Sequence, residues 1–363
     1  MYNIKLIIAF FNNNLKYDEI LLFCEKIMIK LDLKDRKILF YLIKNSRQSL
    51  KVIGRHAGMS KELVHYRIRR LIKNKIINNF SMVVNFERLG YVLMQSYYKF
   101  MNINPTIKKE IIDFLVTDKN TMYVSLIEGA NDLQIDFFIG HPHEFESLLD
   151  KIREKYYQYL SYKSSRIPIR AEFYDFTFLL DEAINKTQIV NWIWGQSLLN
   201  IDDLDFKILV QLSKDSRMPI KNIANNINSS ISTVNYRINQ LEKQMIIAQY
   251  SVNINWTKIG YRQFHLQISL RDYSKKNQII DYMRNNPNLI RIFKFLNIDV
   301  DLHFTLLLQN MQQLRNIIED ISTRFPNSIN DYIFYSTFKV YKYNFMVPEL
   351  LKIKDPINRG HLF

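Results

Sequence analysis

The chain repeats itself with a period of 170 residues. Residues 31–91 align with residues 201–261 without a gap, and 24 of these 61 pairs are identical. A period this long indicates a duplicated unit of several helices and strands, not a solenoid of short repeats. The fold must therefore contain two related halves. The identical pairs include Asp35/Asp205, Ser46/Ser216, Arg47/Arg217, Ser60/Ser230, Tyr66/Tyr236, Arg67/Arg237 and Gly90/Gly260.

Each repeated block has the pattern of three short helices. In the first block, residues 35–43 carry an apolar stripe, and residues 50–57 form a shorter apolar helix that Gly58 ends. Ser60 occupies the N-cap position of a third helix, which extends over residues 61–73. Residues 76–84 come next and are interpreted as a two-stranded wing. The pattern predicts a winged helix-turn-helix.

The third helix is amphipathic. At 100° per residue, Val64, Ile68 and Leu71 share one face, and polar or basic side chains occupy the other. Such a helix fits the major groove and presents its polar face to base edges. For Arg67 and Arg237, beside the apolar stripe, both a phosphate contact and a structural salt bridge stay open. The candidate DNA-binding residues are Ser60, Lys61, Glu62, His65, Tyr66, Arg67, Arg69, Arg70 and Lys73 in the first copy, and Ser230, Ser232, Thr233, Asn235, Tyr236, Arg237 and Asn239 in the second.

The net charge of +15 is concentrated in one block. Residues 31–91 contain 14 Lys and Arg against 4 Asp and Glu, which gives +10. Residues 201–261 contain 7 against 5, which gives +2, and residues 92–200 contain 11 against 14, which gives −3. A uniform genomic bias toward lysine would spread the charge, so this distribution favours double-stranded DNA as the partner.

A segment of about 85 residues that follows each block alternates strand and helix patterns in the order β-α-β-β-α-β, the ferredoxin-like arrangement. In the first copy its final strand is predicted over residues 167–178. The predicted fold class is α+β, with two winged helix-turn-helix domains alternating with two ferredoxin-like βαββαβ domains. The predicted boundaries are an N-terminal extension (1–30), helix-turn-helix 1 (31–91), ferredoxin-like domain 1 (92–180), a helical linker (181–200), helix-turn-helix 2 (201–261), ferredoxin-like domain 2 (262–345) and a C-terminal tail (346–363).

Several motifs resemble the Lrp/AsnC family of prokaryotic transcription regulators. They are the opening at residues 31–39, Asn45-Ser46-Arg47, the Ser60/Val64/Arg67/Ile68/Leu71 spacing, Ile76-Ile77, Leu89-Gly90-Tyr91 and the Gly129-to-Asp132 turn. The resemblance covers residues 31–180 and again 201–345, whereas the family norm is one copy per chain. It implies a transcription regulator with sensing domains that oligomerise. In one chain these domains should pair internally as a pseudo-dimer, with further homo-oligomers left open.

The resemblance also implies a small-molecule effector, such as an amino acid, near the turn between the two central strands of the sensing domain. The corresponding residues here are Gly129, Asn131 and Asp132. The second copy has no glycine in its equivalent turn, which ends at Asp301. We therefore expect at most the first copy to bind an effector.

Two alternatives to a regulator remain. Sirohaem decarboxylases resemble this same family, and that resemblance implies a Phe-Pro pair in the first helix-turn-helix. Residues 44–49 (Lys-Asn-Ser-Arg-Gln-Ser) lack it, so the sequence favours a protein that is not an enzyme. A nucleoid-type architectural protein, which would bind DNA broadly without an effector, is the other alternative.

Metal, cofactor and membrane functions find little support in the sequence. Cys24 is the single cysteine, so neither an internal disulfide nor a multi-thiolate metal site can form. The His141-Pro142-His143 run has poor ligand spacing on a helix and precedes one. No apolar run approaches the 20 or so residues that span a bilayer. We expect a cytoplasmic protein without a cofactor. Residues 1–27 are either an extra helix or a misassigned start.

Overall fold

The computed structural model describes residues 29–180, 186–193, 198–296 and 300–344. The extension predicted up to residue 30 and the tail predicted from residue 346 thus lie almost wholly outside the described residues. The helices are α1 (Leu33–Lys44), α2 (Leu50–Ala57), α3 (Lys61–Lys73), α4 (Pro105–Thr117), α5 (Pro142–Tyr156), α6 (Asp203–Lys214), α7 (Ile220–Asn226), α8 (Ile231–Lys243), α9 (Lys276–Arg284) and α10 (Met311–Arg324). The strands are β1 (Ile77–Val84), β2 (Val92–Phe100), β3 (Thr121–Gly129), β4 (Leu133–Ile139), β5 (Leu160–Arg166), β6 (Pro168–Tyr174), β7 (Gln188–Ile193), β8 (Ile247–Ile254), β9 (Arg262–Leu270), β10 (Leu289–Phe295), β11 (Leu302–Leu308) and β12 (Ile329–Tyr343).

Helices α1–α3 form the first helix-turn-helix unit and α6–α8 the second, as the sequence predicts. Each of these three-helix units is called a reading head below. Local signals set their boundaries. Gly58 ends α2 in the left-handed conformation with φ +66°, and the Ser60 side chain caps α3 by accepting from the Leu63 amide. In the second head Asn228 adopts φ +54° near the corresponding turn, and Ser230 caps α8.

The strands other than β1 and β8 form one ten-stranded sheet, in the order β5-β2-β4-β3-β12-β9-β11-β10-β6-β7. Strands β2 to β5 make one ferredoxin-like domain, and strands β9 to β12 make the other. In both domains the fourth strand lies beside the first and the third lies between the first and second, which is the ferredoxin-like order. The predicted α+β fold class is confirmed.

The two ferredoxin-like domains exchange strands at their edges. Strand β12 pairs with β9 of its own domain and then continues along β3 of the other domain. In return, β6 leaves the first domain and pairs with β10 of the second. The halves are therefore joined edge to edge within one chain through backbone hydrogen bonds.

The sheet curls, so that the two domains face each other with their helices outside. Gln134 of β4 and His303 of β11 line the same small cavity, although three strands separate β4 from β11 in the hydrogen-bonded order. Helices α4 and α5 cover the outer face of the first domain, and α9 and α10 that of the second. None of the described helices is long and apolar enough to cross a bilayer.

Two predictions about strands in the first half are wrong. The predicted final strand over residues 167–178 is not the fourth strand of its domain, because β5 takes that place and β6 pairs with the other domain. The linker predicted as a helix over residues 181–200 contains strand β7 among its described residues. This strand pairs with β6, and Trp192 packs edge-on against Phe173 with ring centroids 5.1 Å apart.

The predicted wing also differs. Residues 77–84 form a single strand, β1, which pairs antiparallel with β8 of the other half. Equivalent residues meet at the centre of this ladder, where Ser81 lies opposite Ser251. Strand β1 therefore links the halves, and its Met82 and Val84 belong to the core of the second reading head. Met82, Val83 and Val84 at the end of β1 are all buried, so both faces of this end of the strand find partners.

Candidate nucleic-acid interface

The outward face of α3 is the candidate DNA-reading surface of the first head. Val64, Ile68 and Leu71 are buried on the opposite face, as the helical periodicity predicts. The polar and aromatic side chains that the structure leaves exposed on this helix are Lys61, Glu62, His65, Tyr66, Arg69 and Lys73; Ile72 is also exposed, and so is the capping Ser60 just before the helix.

Arg67 has a structural role. Its guanidinium donates to the Asp32 carboxylate at 2.7 Å and to the Asp35 carboxylate at 2.9 Å, and both acceptors lie at the start of α1. Arg70 donates to the second oxygen of Asp35 at 2.5 Å. Of the two alternatives left open for Arg67, the structure contains the salt bridge. The same carboxylate also compensates much of the Arg70 charge.

The second head repeats this geometry with weaker contacts. Arg237 reaches Asp202 at 2.8 Å and Asp205 at 3.3 Å. Gln240 occupies the position of Arg70, so Asp205 has one arginine partner in place of two. The exposed side chains of α8 that were predicted to meet DNA are Ser232, Thr233, Asn235, Tyr236 and Asn239, with Ser230 at the cap.

Sequence reasoning missed the residues that join the two reading heads. The Ser46 and Ser216 hydroxyls, which are equivalent in the repeat, hydrogen-bond to each other at 2.7 Å and are fully buried. Arg47 donates to the Ser216 carbonyl at 2.6 Å, and Arg217 donates reciprocally to the Ser46 carbonyl. Their identity in both copies was the available signal, because contacts across a two-fold axis require the same residue twice.

The turn predicted to bind an effector lies where the two ferredoxin-like domains meet. Gly129 ends β3 opposite Tyr335 of β12, with φ +145°. The Asp132 carboxylate accepts from the Phe100 amide at 2.9 Å, and Asp301 makes the equivalent bond to the Leu270 amide at 2.7 Å. Asn131, between them, is partly exposed. These contacts stabilise the strands, and the effector role of Gly129, Asn131 and Asp132 stays a prediction.

A buried polar cluster between the facing domains was also missed. The Asp136 carboxylate accepts from the Gln134 amide at 2.8 Å and the Gln95 amide at 3.1 Å, and burial raises its pKa to about 7. His265 and His303 are 3.1 Å apart, and burial holds both neutral by lowering their pKa values, that of His303 to about 3. The sequence did contain a signal for this cluster, because polar residues alternate along these strands. The same alternation is also typical of a sheet face that is exposed to solvent.

His141 acts as the N-cap of α5, where its ring accepts from the His143 amide. Within the parts of the chain that the structure describes, no group of three His, Cys, Asp or Glu side chains could hold a metal ion.

Comparison with known proteins matches the reading heads to a defined family. The family model described as winged helix-turn-helix DNA-binding matches residues 31–78 and residues 201–247. An uncharacterized HTH-type transcriptional regulator of Pyrococcus furiosus is 27% identical over 123 residues, which make up 34% of this chain and 82% of that relative.

Two solved structures are also similar to this chain, and the first of them shares its fold. The siroheme decarboxylase NirDL superposes with a TM-score of 0.57 at 11% identity, covering 88% of this chain and 97% of NirDL. B. subtilis LrpC superposes with a TM-score of 0.34 at 20% identity, covering 39% of this chain and 96% of LrpC. Both helix-turn-helix matches fall on the repeated blocks whose motifs resemble Lrp/AsnC proteins. The chain therefore contains two winged helix-turn-helix DNA-binding domains in tandem, and it is similar to HTH-type transcriptional regulators over about a third of its length.

Proposed function

We propose that this chain is a sequence-specific transcription regulator that inserts α3 and α8 into two major grooves of one DNA duplex. The observation that carries the proposal is the outward face of α3, which exposes Lys61, His65 and Arg69 together on a block of charge +10. An α-helix that exposes such a face fits the major groove, and its cations release counterions from the phosphates.

The two half-sites should differ. Arg69 on α3 corresponds to Asn239 on α8, and His65 corresponds to Asn235. Arginine favours guanine, and asparagine favours adenine, because each side chain matches the groove edge of that base. The reciprocal contacts at Ser46 and Ser216 fix the two heads relative to each other, so the half-sites should lie at a constant spacing of about one helical turn or a multiple of it.

Replacing Lys61 and Arg69 together by alanine is expected to weaken DNA binding about tenfold and to lower the slope of log affinity against log salt by about two, because two phosphate or guanine contacts are lost. Arg70 is left in place because it neutralises Asp35. Fluorescence anisotropy on one duplex at several salt concentrations measures both quantities.

The matched control is Asn239→Ala, at the position of Arg69 in the second head. We expect it to change the preferred bases of one half-site and to leave the salt slope as it is. A larger loss of total affinity from Asn239→Ala than from the double variant would contradict the charge argument. Footprinting on genomic fragments separates a regulator, which protects defined asymmetric sites, from an architectural protein, which covers DNA evenly.

A second candidate is an enzyme on the same fold. NirDL, which was solved with an iron-uroporphyrin III analogue, shares the architecture of both halves over 88% of this chain. The test is a titration of the purified chain with that class of tetrapyrrole, followed by its visible absorbance. A stoichiometric spectral shift followed by loss of carboxyl groups as CO₂ would favour the enzyme, and retention of specific DNA binding without such a shift would favour the regulator.

A further inference from the structure

A cavity of about 510 Å³ lies between the two-stranded sheet and the mouth of the curled ten-stranded sheet. Strand β8 forms one wall, and residues of β9, β10 and β12 form the other. It is separate from the Gly129-to-Asp132 turn, none of whose residues line it. Its volume lies in the range of small-molecule sites.

The cavity is cationic and aromatic. Three basic side chains line it, Arg262, Lys339 and Arg291, and no described lining residue is acidic, although Arg262 is paired with Glu128 outside the lining at 3.4 Å. Its aromatic lining includes Tyr123, Phe173, Trp256, Tyr261 and Tyr343. Fixed positive charge among ring faces suits a planar ligand that carries negative charge.

Arg291 is the least exposed of these three basic side chains. It is partly buried on β10, and its guanidinium lies 5.7 Å from the centre of the Phe173 ring. It makes no ion pair with the described residues, in contrast to Arg284, which reaches Glu172 at 3.0 Å. The positive charge of Arg291 also acts to lower the pKa of the Asp136 carboxyl. That carboxyl is buried, and its hydrogen bonds are to two glutamines, not to Arg291. The Arg291 charge is therefore available to a ligand that enters the cavity.

An equivalent cavity lies in the other half of the repeat, but there it is nearly closed. It measures about 50 Å³ and is filled by apolar side chains that include Phe138 and Trp192. Val92 and Leu93 take the positions of Arg262 and Gln263 in the repeat. The two copies have therefore diverged: one half contains an open cavity, and apolar side chains fill most of the equivalent space in the other half.

We propose that the larger cavity binds a planar organic anion of the aromatic carboxylate class, one molecule per chain. A free amino acid fits less well, because its ammonium group would find no carboxylate among the described lining residues. A ligand in this cavity would regulate the proposed DNA binding, and this part of the inference rests on the proposed function. Strand β8 lines the site and also pairs with β1, so a bound ligand touches the sheet that carries both reading heads.

The test uses the full chain and 2-naphthoate as the probe, with 2-naphthalenemethanol as its neutral counterpart and L-tryptophan as the amino acid. Calorimetry is expected to show one saturable naphthoate site per chain, with affinity at least tenfold above that of either comparison compound. Two equivalent sites per chain, or equal affinity for the neutral compound, would overturn the proposal.

Arg291→Gln is expected to weaken naphthoate binding at least tenfold, because a charge-assisted hydrogen bond is lost. Lys294→Gln is the matched control: it removes the same charge from the same strand, but residue 294 is exposed and on the opposite face from residue 291. Gln263→Leu, which copies Leu93 of the closed side, gives a second variant if Arg291→Gln unfolds. Unchanged binding in Gln263→Leu and in a folded Arg291→Gln would refute the site.

DNA binding measured with and without naphthoate separates this inference from the proposed function. Naphthoate binding that shifts DNA affinity, with DNA shifting naphthoate affinity by the same factor, supports a regulatory site. Naphthoate binding without any DNA binding leaves the site standing and refutes the regulator. Naphthoate binding with unaltered DNA affinity refutes the link through β8.

Discussion

Replacing Arg67 by methionine is expected to lower the free energy of unfolding of the first reading head by about 3 kcal/mol, because a buried ion pair loses one partner. The Asp35 side chain is 3% exposed and the Arg67 side chain 14% exposed. Without Arg67, Asp35 keeps one arginine, and Asp32 loses the partner that ties it to α3. Urea unfolding followed by circular dichroism measures the change.

Arg237→Met provides the matched control in the second head. There the arginine is 33% exposed and its acceptor Asp205 is 12% exposed, so solvent screens the pair. We expect a cost of about 1 kcal/mol for this variant. Adding Asp35→Asn to Arg67→Met should recover part of the lost stability, because the buried carboxylate that has lost one of its two arginine partners is then removed.

The same variant decides what Arg67 does for DNA. At temperatures where the Arg67→Met protein is folded, the salt dependence of its DNA binding should equal that of the unaltered chain. A slope lower by about one, together with unchanged stability, would show that Arg67 contacts a phosphate and would contradict the salt-bridge role.

The reading heads could be predicted from the sequence because local signals define them. Gly58 and Ser60 act within a few residues of their own positions, and the buried face of α3 follows directly from helical periodicity. What periodicity cannot supply is the partner of an arginine that lies beside the apolar stripe. Asp35 lies 32 residues before Arg67, and only the packing of α1 against α3 brings them together.

The strand partners between the halves could not be predicted for a related reason. The composition of residues 77–84 and 168–174 indicates strands, but it does not say whether each pairs within its own unit or with the other copy. Duplicated units offer both choices, since every strand has two chemically similar partners. The choice depends on which edges of the folded domains receive a strand from the other half, and these are β3 and β10. The buried Asp136 and His303 cluster is hidden from sequence reasoning in the same way, because the curl of the sheet creates it.

Gly129 lies at the joint between the two ferredoxin-like domains, where strand β12 leaves no room for a side chain. A Cβ placed on this residue would lie 2.8 Å from the Phe334 carbonyl oxygen and about 3.0 Å from the Tyr335 side chain, both on β12. Its φ of +145° is also strained for any other residue. The steric contact and the backbone strain both disfavour a side chain at this position. Neither β3 nor β12 can move away without breaking the hydrogen bonds between them.

Gly129→Ala is therefore expected to destabilise the chain by about 3 kcal/mol or more, through backbone strain and lost interdomain pairing. Gly58→Ala is the matched control, since Gly58 also has positive φ but a Cβ there meets nothing within 4 Å. It should cost about 1 kcal/mol. Hydrogen exchange should show the Gly129→Ala loss at the amides of β3 and β12. Normal stability with altered binding of an amino acid would instead make this glycine an effector residue, as the resemblance to Lrp/AsnC proteins implies, and would show that the joint tolerates a side chain after all.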